Sequence, residues 1–472
     1  LNWVENMRVA IDAVGETGKL AEGAICYTGD ILDPTRAKYS LNYYVGVAKE
    51  LEQAGCHILA IKDMAGLLLP AAARVLVKAL REEVGLPLHL HTHDTSGISA
   101  ATVLAAIDAG VDAVDAAIDS MSGMTSQPCL GSIASALRHS PRDTGLDAET
   151  IRQLSFYWEA ARQQYAAFEG DLKSGTSEVY LHEMPGGQFT NLREQARSLG
   201  LETRWHEVAK AYRAANDLFG DIVKVTPSSK VVGDMALMMV SQSLTPKDVL
   251  DPARDIAFPT SVVDMLAGEL GQPPGGWPAA LQAKALKGQT PFGGRPGALL
   301  PAADLGAARA AAEKAIGLQL SGDELASYLM YPKVFTEFSA TVRRFGPVSV
   351  LPTSVFFYGM QPGDEIAIEI EPGKTLVLLL VTIGETDEEG HVKVFFELNG
   401  QQRIIRVQNR SAAVTAVVRR KAEDGNEFHV AAPMPGAVST IAVRQGQEVK
   451  AGDVVATVEA MKMETSLHAQ RD

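Results

Sequence analysis

The sequence predicts an α/β fold: the C-terminal half of a (β/α)8 TIM barrel with a helical extension, then a small mixed α/β or β segment and a partial all-β domain. Three observations predict it. Apolar runs of strand length alternate with helical patterns between residues 19 and 123. Residue types able to do chemistry collect at the C-terminal ends of those runs, where barrel active sites form. Beyond residue 346 the pattern turns to the period-two alternation of half-buried strands.

The opening, "LNWVENMRVAIDAVGETG", places Val4, Met7, Ile11 and Val14 at helical spacing and stops at Gly15 and Gly18. Starting this close to a helix, without an initiator Met, the chain is expected to be a piece of a longer polypeptide. Strand "GAICYTGD", helix "SLNYYVGVAKELEQAG", strand "HILAIKDMAG" and helix "PAAARVLVKALREEVG" follow. Strand "PLHLHTHDTSG", helix "SAATVLAAIDAG" and strand "VDAVDAAIDSMSG" complete the run. Such alternation builds βαβ units and a parallel sheet. The strand ends carry Asp30, Lys62, Asp63, His91, His93 and Asp119. Four strands are half of a closed barrel, so the first half is expected upstream. A doubly wound open sheet is the alternative, but no glycine-rich phosphate loop follows any strand.

Residues 145–345 read as helical, with "HEMPGGQFTNL" (182–192) and "VKVTPSSKVVGDMALMM" (223–239) as interleaved loops. "SVFFYG", "EIAIEIEPGKTLVLLLVTIG" and "HVKVFFELNGQQRIIRV" read as strands, the last with an Asn-Gly turn. The charged stretch "RRKAEDGNE" (419–427) reads as a linker. The expected domains are 1–144, the barrel half; 145–345, its helical extension; 346–420, a linking domain; and 421–472, a strand-rich end.

Composition narrows the function classes. A chain of 472 residues holds two to four domains, and 46% hydrophobic with 21% charged residues is globular composition. A net charge of −14 argues against nucleic acid or an anionic membrane as main partner. Cys26, Cys56 and Cys129 are too few and scattered for a disulfide framework, which fits a reducing compartment. No apolar run reaches the ~18 residues of a membrane span. A soluble, intracellular-type protein is expected.

In "LHLHTHD", His89, His91 and His93 alternate along one strand face. His-x-His at a barrel strand end suits two nitrogen ligands to one divalent metal; polar lining of the barrel mouth is the ordinary alternative. The next strand sets Lys62 among apolar residues, where an ammonium ion is costly. Burial and nearby positive charge favour the neutral, nucleophilic form of an amine. Such an amine can take up CO2 as a carbamate and become an anionic oxygen ligand. An ion pair with Asp63 or a neighbour explains Lys62 equally well. "VTPSSK" (225–230) clusters three hydroxyls and a lysine, a pattern that usually serves caps and ST-turns, and nothing local marks Thr226. Finally, "EAMKMET" sets Lys462 between two methionines, with "PMPG" upstream and "VRQGQEVKAGD" between them. A swinging prosthetic arm needs a lysine on a rigid outward turn, and methionines supply an adaptable apolar collar.

"EAMKMET" with "APMPG" resembles a biotinyl carrier, a barrel-sandwich domain, in which Lys462 matches the biotinylated lysine. "IKDMAG", "HLHTHDTSG" and "HEMPGGQFTNL" resemble the carboxyltransferase domain of the pyruvate carboxylase family. "VLPTSVFFYG" and "VFFELNGQQRIIRV" resemble the segment that links the two in that family. The resemblance runs nearly the whole length and points to the C-terminal part of a bacterial member.

It implies that Lys62 is the carbamylated ligand, with His91 and His93, to zinc or manganese. Thr226 would shuttle a proton between the pyruvate methyl group and the biotin ring nitrogen, and Ser229 and Lys230 would line the biotin pocket. The family's remaining metal ligand, an aspartate, and its substrate-binding arginine and glutamine lie on motifs expected before residue 1. The second half of the biotinyl domain is expected after residue 472. The resemblance also implies a biotin carboxylase domain of the same polypeptide using ATP and Mg2+, a biotin protein ligase, acetyl-CoA as activator, and a homotetramer. Localisation would be the cytoplasm, or the mitochondrial matrix in a eukaryote. The alternatives are the α chain of a membrane-linked oxaloacetate decarboxylase and a non-catalytic carrier or assembly fragment. The short charged linker, in place of a Pro/Ala-rich one, favours the carboxylase.

Overall fold

A computed structural model describes residues 1–411, 421–423, 426, 428–433, 436–460 and 463–471. They gather in two compact units, Leu1–Leu299 with Lys421–Asp472, and Leu300–Arg420.

In the first unit α1 (Val4–Glu16) leads to β1 (Glu22–Cys26), α2 (Leu41–Gln53), β2 (Ile58–Lys62) and α3 (Pro70–Glu83). β3 (Leu88–His91), α4 (Ser99–Ala109) and β4 (Ala113–Val114) follow. The four strands are parallel and adjacent in chain order, the arrangement of consecutive barrel strands. Cys26 stands opposite Lys62, and Lys62 opposite His91, so β1, β2 and β3 end level and share one rim. Leu88 and Leu90 of β3 are buried, while His89 and His91 take the other face. β2 buries Leu59, Ala60 and Ile61 in succession, as a strand covered on both faces must.

β4 is shorter than the strand expected from "VDAVDAAIDSMSG". Asp115 N–H still donates to the Leu90 carbonyl of β3, and beyond it the backbone pairs elsewhere: Ala117 N–H donates to the Pro128 carbonyl and Leu130 N–H to the Ala117 carbonyl. The chain then runs through α5 (Leu130–Leu137), α6 (Ala148–Gln163), α7 (Val179–His182), α8 (Gly186–Ser198) and α9 (Trp205–Leu218). α10 (Ser228–Ser241), α11 (Pro246–Leu250), α12 (Thr260–Ala267), α13 (Ala279–Leu286) and α14 (Pro296–Leu299) complete this part.

Both segments expected as loops, 182–192 and 223–239, begin as loops and then enter helices. In α10 every residue from Val231 to Val240 is buried, so no amphipathic stripe marks it as a helix. In α8 the two leading glycines mask the helix, and the first is demanded by packing. A Cβ on Gly186 would lie 2.9 Å from both His93 Nδ1 and the Thr125 carbonyl oxygen. Phe189, Leu192, Tyr212, Met235 and Met265 share the apolar core of these helices.

The second unit holds α15 (Leu305–Ile316), α16 (Gly322–Met330), α17 (Pro332–Phe345) and α18 (Thr353–Tyr358). An antiparallel sheet follows, β5 (Glu365–Glu371), β6 (Lys374–Thr386), β7 (His391–Leu398) and β8 (Gln401–Gln408). The expected strand "SVFFYG" is instead α18, set between Pro352 and a left-handed Gly359. Short apolar runs do not reveal their period. The Asn-Gly turn is as expected: Asn399 and Gly400 have φ of 49° and 79° and join β7 to β8.

In the first unit again, β9 (Ala437–Ile441), β10 (Val454–Ala460) and β11 (Met463–His468) form an antiparallel sheet with β10 central. Candidate Lys462 lies outside the described residues, as do Met461, Met434 and Pro435 and most of the expected linker 419–427. Among the described residues no helix is long and apolar enough to cross a membrane.

Candidate active site

Lys62, His91 and His93 come together where the strands end. Lys62 is the last residue of β2 and stands opposite His91, the last of β3. The Nε2 atoms of His91 and His93 lie 3.3 Å apart, with the rings nearly perpendicular. The opposite nitrogen of each ring is already committed. His91 Nδ1 meets Asp115 Oδ2 at 2.7 Å, and His93 Nδ1 meets the Thr125 carbonyl at 2.7 Å. A carbonyl only accepts, so His93 carries its proton on Nδ1 and turns a lone pair outward from Nε2. Burial pushes the pKa of His93 below its ordinary value, against the Thr125 hydrogen bond. Two Nε2 atoms converging behind fixed Nδ1 partners form an arrangement able to accept a divalent metal.

The other readings of this rim separate cleanly. Asp63 does not pair with Lys62. Its buried carboxylate accepts from the Leu67 and Leu68 amides and from Thr92 Oγ1, at 2.8, 3.0 and 2.9 Å. The half-buried Lys62 ammonium has no ion-pair partner among the described residues. His89 shares a face with His91 but not its role, because Glu22 and Asp115 occupy its two ring nitrogens. Burial lowers the His89 pKa, yet the hydrogen bonds and charges of Asp115 and Glu22 outweigh it and raise the value. Asp30 caps its own turn through the Leu32 amide, and Asp119 accepts from the Gly131 amide in the first turn of α5. Among the described residues, histidines, cysteines and carboxylates alone make no three-ligand metal cluster.

Thr226 is exposed and sits between Val225, which packs on the barrel core, and the start of α10. Ser228 Oγ secures this turn by donating to the Val223 and Val225 carbonyls, both at 2.7 Å. Ser229 is buried, and its carbonyl accepts from Tyr212 OH at 3.3 Å. Lys230 Nζ reaches Asp234 Oδ2 at 2.7 Å, and Ser261 Oγ donates to the same oxygen. Burial raises the Asp234 pKa against these two partners.

Three residues of consequence escaped the sequence reading. Asp115 orients His91 from β4's end, and an acid just after an apolar strand was its signal. Glu183 and Lys224 form a buried pair at 2.9 Å. Lys224 stands between Val223 and Val225, the same apolar-flanked lysine signal that marked Lys62.

Comparison with known proteins identifies what the chain resembles. Residues 31–157 match the HMGL-like family, 179–379 the conserved carboxylase domain, and 429–472 the biotin-requiring enzyme domain. Pyruvate carboxylase of Bacillus subtilis is 50% identical over 469 residues, 99% of this chain and 41% of that protein. The human mitochondrial pyruvate carboxylase is 46% identical over 468 residues, 98% of this chain and 40% of that protein. The chain thus spans about two fifths of the length of these relatives. The carboxyl transferase domain of Rhizobium etli pyruvate carboxylase superposes with TM-score 0.84 at 67% identity, covering 87% of this chain and 69% of that one. The complete multifunctional Rhizobium etli enzyme gives TM-score 0.83 at 67% identity, covering 87% of this chain and 40% of that one. The class these matches define is that of carboxylase chains pairing a carboxyl transferase domain with a biotin-requiring domain. Within that class, the chain belongs to the pyruvate carboxylase family.

Proposed function

We propose that this chain performs the carboxyl-transfer half of ATP-dependent pyruvate carboxylation, moving a carboxyl group from biotin to pyruvate to give oxaloacetate. The observation that carries the reading is the 67% identity, over 87% of this chain, to the Rhizobium etli carboxyl transferase domain determined with pyruvate and biocytin. The domain roles follow the sequence expectation, with 346–420 as the linking, allosteric part. ATP and Mg2+ would act in a biotin carboxylase domain of the same polypeptide. Acetyl-CoA activation, a homotetramer and a biotin protein ligase belong to the same reading, in the cytoplasm of a bacterium or the matrix of a mitochondrion.

Lys62 as its carbamate, His91 and His93 would hold zinc or manganese, and such an ion supplies a Lewis acid for an enolate oxygen. Biotin on Lys462 supplies the carboxyl group as CO2 and a basic ring nitrogen. Thr226 takes a methyl proton of pyruvate at Oγ1 as its own hydroxyl proton leaves for the basic ring nitrogen that bound biotin would offer, because an isolated threonine alkoxide is far too basic to persist at neutral pH. The resulting enolate carbon then bonds to CO2 and yields oxaloacetate. Ser229 and Lys230 hold the ureido end of the cofactor, with Asp234 fixing the Lys230 ammonium.

The test is Lys462→Arg in the full-length protein. It should abolish both avidin-detectable biotin and oxaloacetate formation from pyruvate; retained labelling moves the attachment point elsewhere and defeats the assignment. The metal reading has its own measurement. Asp115→Asn should weaken zinc or manganese binding about 10–100-fold in a chelator competition, and an unchanged affinity would leave Asp115 an ordinary surface acid.

A further inference from the structure

We propose that the buried Lys224–Glu183 pair is the positioning device for Thr226, clamping the segment before it to the loop that leaves β1. The inference rests on the proton-relay reading of Thr226. Lys224 lies two residues before Thr226 and is 1% exposed. Its ammonium donates to Glu183 Oε2 at 2.9 Å, to Thr28 Oγ1 at 3.2 Å and to the Ile222 carbonyl at 3.4 Å. Thr28 follows β1, so this one cation ties the relay segment to a barrel strand end. The same strand-end loop grips the segment a second time. Lys38 Nζ reaches the Gly220 and Asp221 carbonyls at 2.6 and 3.0 Å, and Tyr39 OH donates to the Asp221 carbonyl at 2.8 Å.

Glu183 is the hub. Arg36 and Arg213 bond its carboxylate alongside Lys224, so three cations from three parts of the chain converge on one buried anion. Its backbone adopts the left-handed conformation, φ 56° and ψ 31°, which is uncommon for a residue with a side chain. Such conformations persist where the surroundings over-determine them, and they cluster at functional sites. Fixing the three residues 220, 221 and 224 leaves the turn at Thr226 little freedom, and Ser228 closes it from the other side. A relay that gives and takes a proton in one event tolerates little displacement; a misplacement of about 1 Å can cost about 100-fold in rate.

Lys224→Met tests this in the biotinylated full-length enzyme. The variant leaves Glu183 with Arg36 and Arg213, so its charge stays compensated. We expect kcat for pyruvate carboxylation to fall about 10–100-fold, with the KM for pyruvate within about twofold. Lys224→Arg, which keeps a cation at the site, should recover part of the loss. The decisive measurement is the double variant Lys224→Met/Thr226→Ala. If Lys224 acts through Thr226, the double variant is no slower than Thr226→Ala alone; if the losses multiply, Lys224 is merely structural and the proposal fails. Should Lys224→Met not fold, Thr28→Val removes the same tether from the barrel side, and an unchanged kcat there also defeats the proposal. A fully active Thr226→Ala would instead overturn the relay itself, a separate outcome from failure of the clamp.

Discussion

Thr226→Ala should reduce carboxyl transfer to pyruvate by about 10²–10⁴-fold, the span over which a positioned acid–base group acts. Bicarbonate-dependent ATP cleavage in the full-length enzyme should continue, because that chemistry belongs to another domain. The side chain is exposed and has no hydrogen-bond partner among the described residues, so its removal should leave stability within about 0.5 kcal/mol. Bound metal should be unchanged, since Thr226 lies outside the Lys62, His91 and His93 cluster. A variant that transfers carboxyl groups at the normal rate would reject the relay. One that loses metal as well would point to a misfolded rim instead.

The largest stability effect belongs to Glu183→Gln. Arg36 and Arg213 keep Asp221 and Asp217, but the buried Lys224 ammonium loses its carboxylate, which costs about 3–5 kcal/mol. Urea or thermal unfolding measures it directly. The same group sets an acid limb. Burial opposes ionisation of Glu183, but Lys224 and Arg36 outweigh it and hold the pKa down to about 2 from an ordinary 4.5. Its contribution is therefore complete above about 4.5 and is lost as pH falls through that window toward 2. In wild type, stability should decline as pH drops below about 4.5, and Glu183→Gln should flatten that decline. An identical acid limb in the variant would remove Glu183 from the account.

Much of this was legible in the residues. The β1 to β3 pattern and the level rim at Lys62 and His91 follow from apolar runs broken by single polar residues, because a covered parallel strand admits few others. The glycine and turn signals at Asn399–Gly400 were equally plain. What stayed hidden had no local period or partner to betray it. α10 is buried on all sides from Val231 to Val240 and so shows no stripe; α8 opens on two glycines, and the need for the first arises only from His93 and Thr125, about ninety and sixty residues away in the chain. The roles of the three strand-face histidines diverge only through Glu22, Asp115 and Thr125, which arrive from other elements. The Glu183–Lys224 pairing was out of reach for the same reason: 41 residues part the two, and although Lys224 is flanked by valines, nothing local names its partner.

The unbroken burial of α10 from Val231 to Val240 has a consequence for dynamics. Its first turn carries Ser229 and Lys230, while Met235 to Met239 are sealed in the helical core. Local fraying can release exposed termini and loops, but a helix sealed along its length opens only when the core around it does. Amide protons from Val231 to Val240 therefore belong to the slowest-exchanging class of the molecule. If Ser229 and Lys230 line the biotin pocket as proposed, that wall is as durable as the fold itself, and turnover need not wait for it to reform between encounters with the arm.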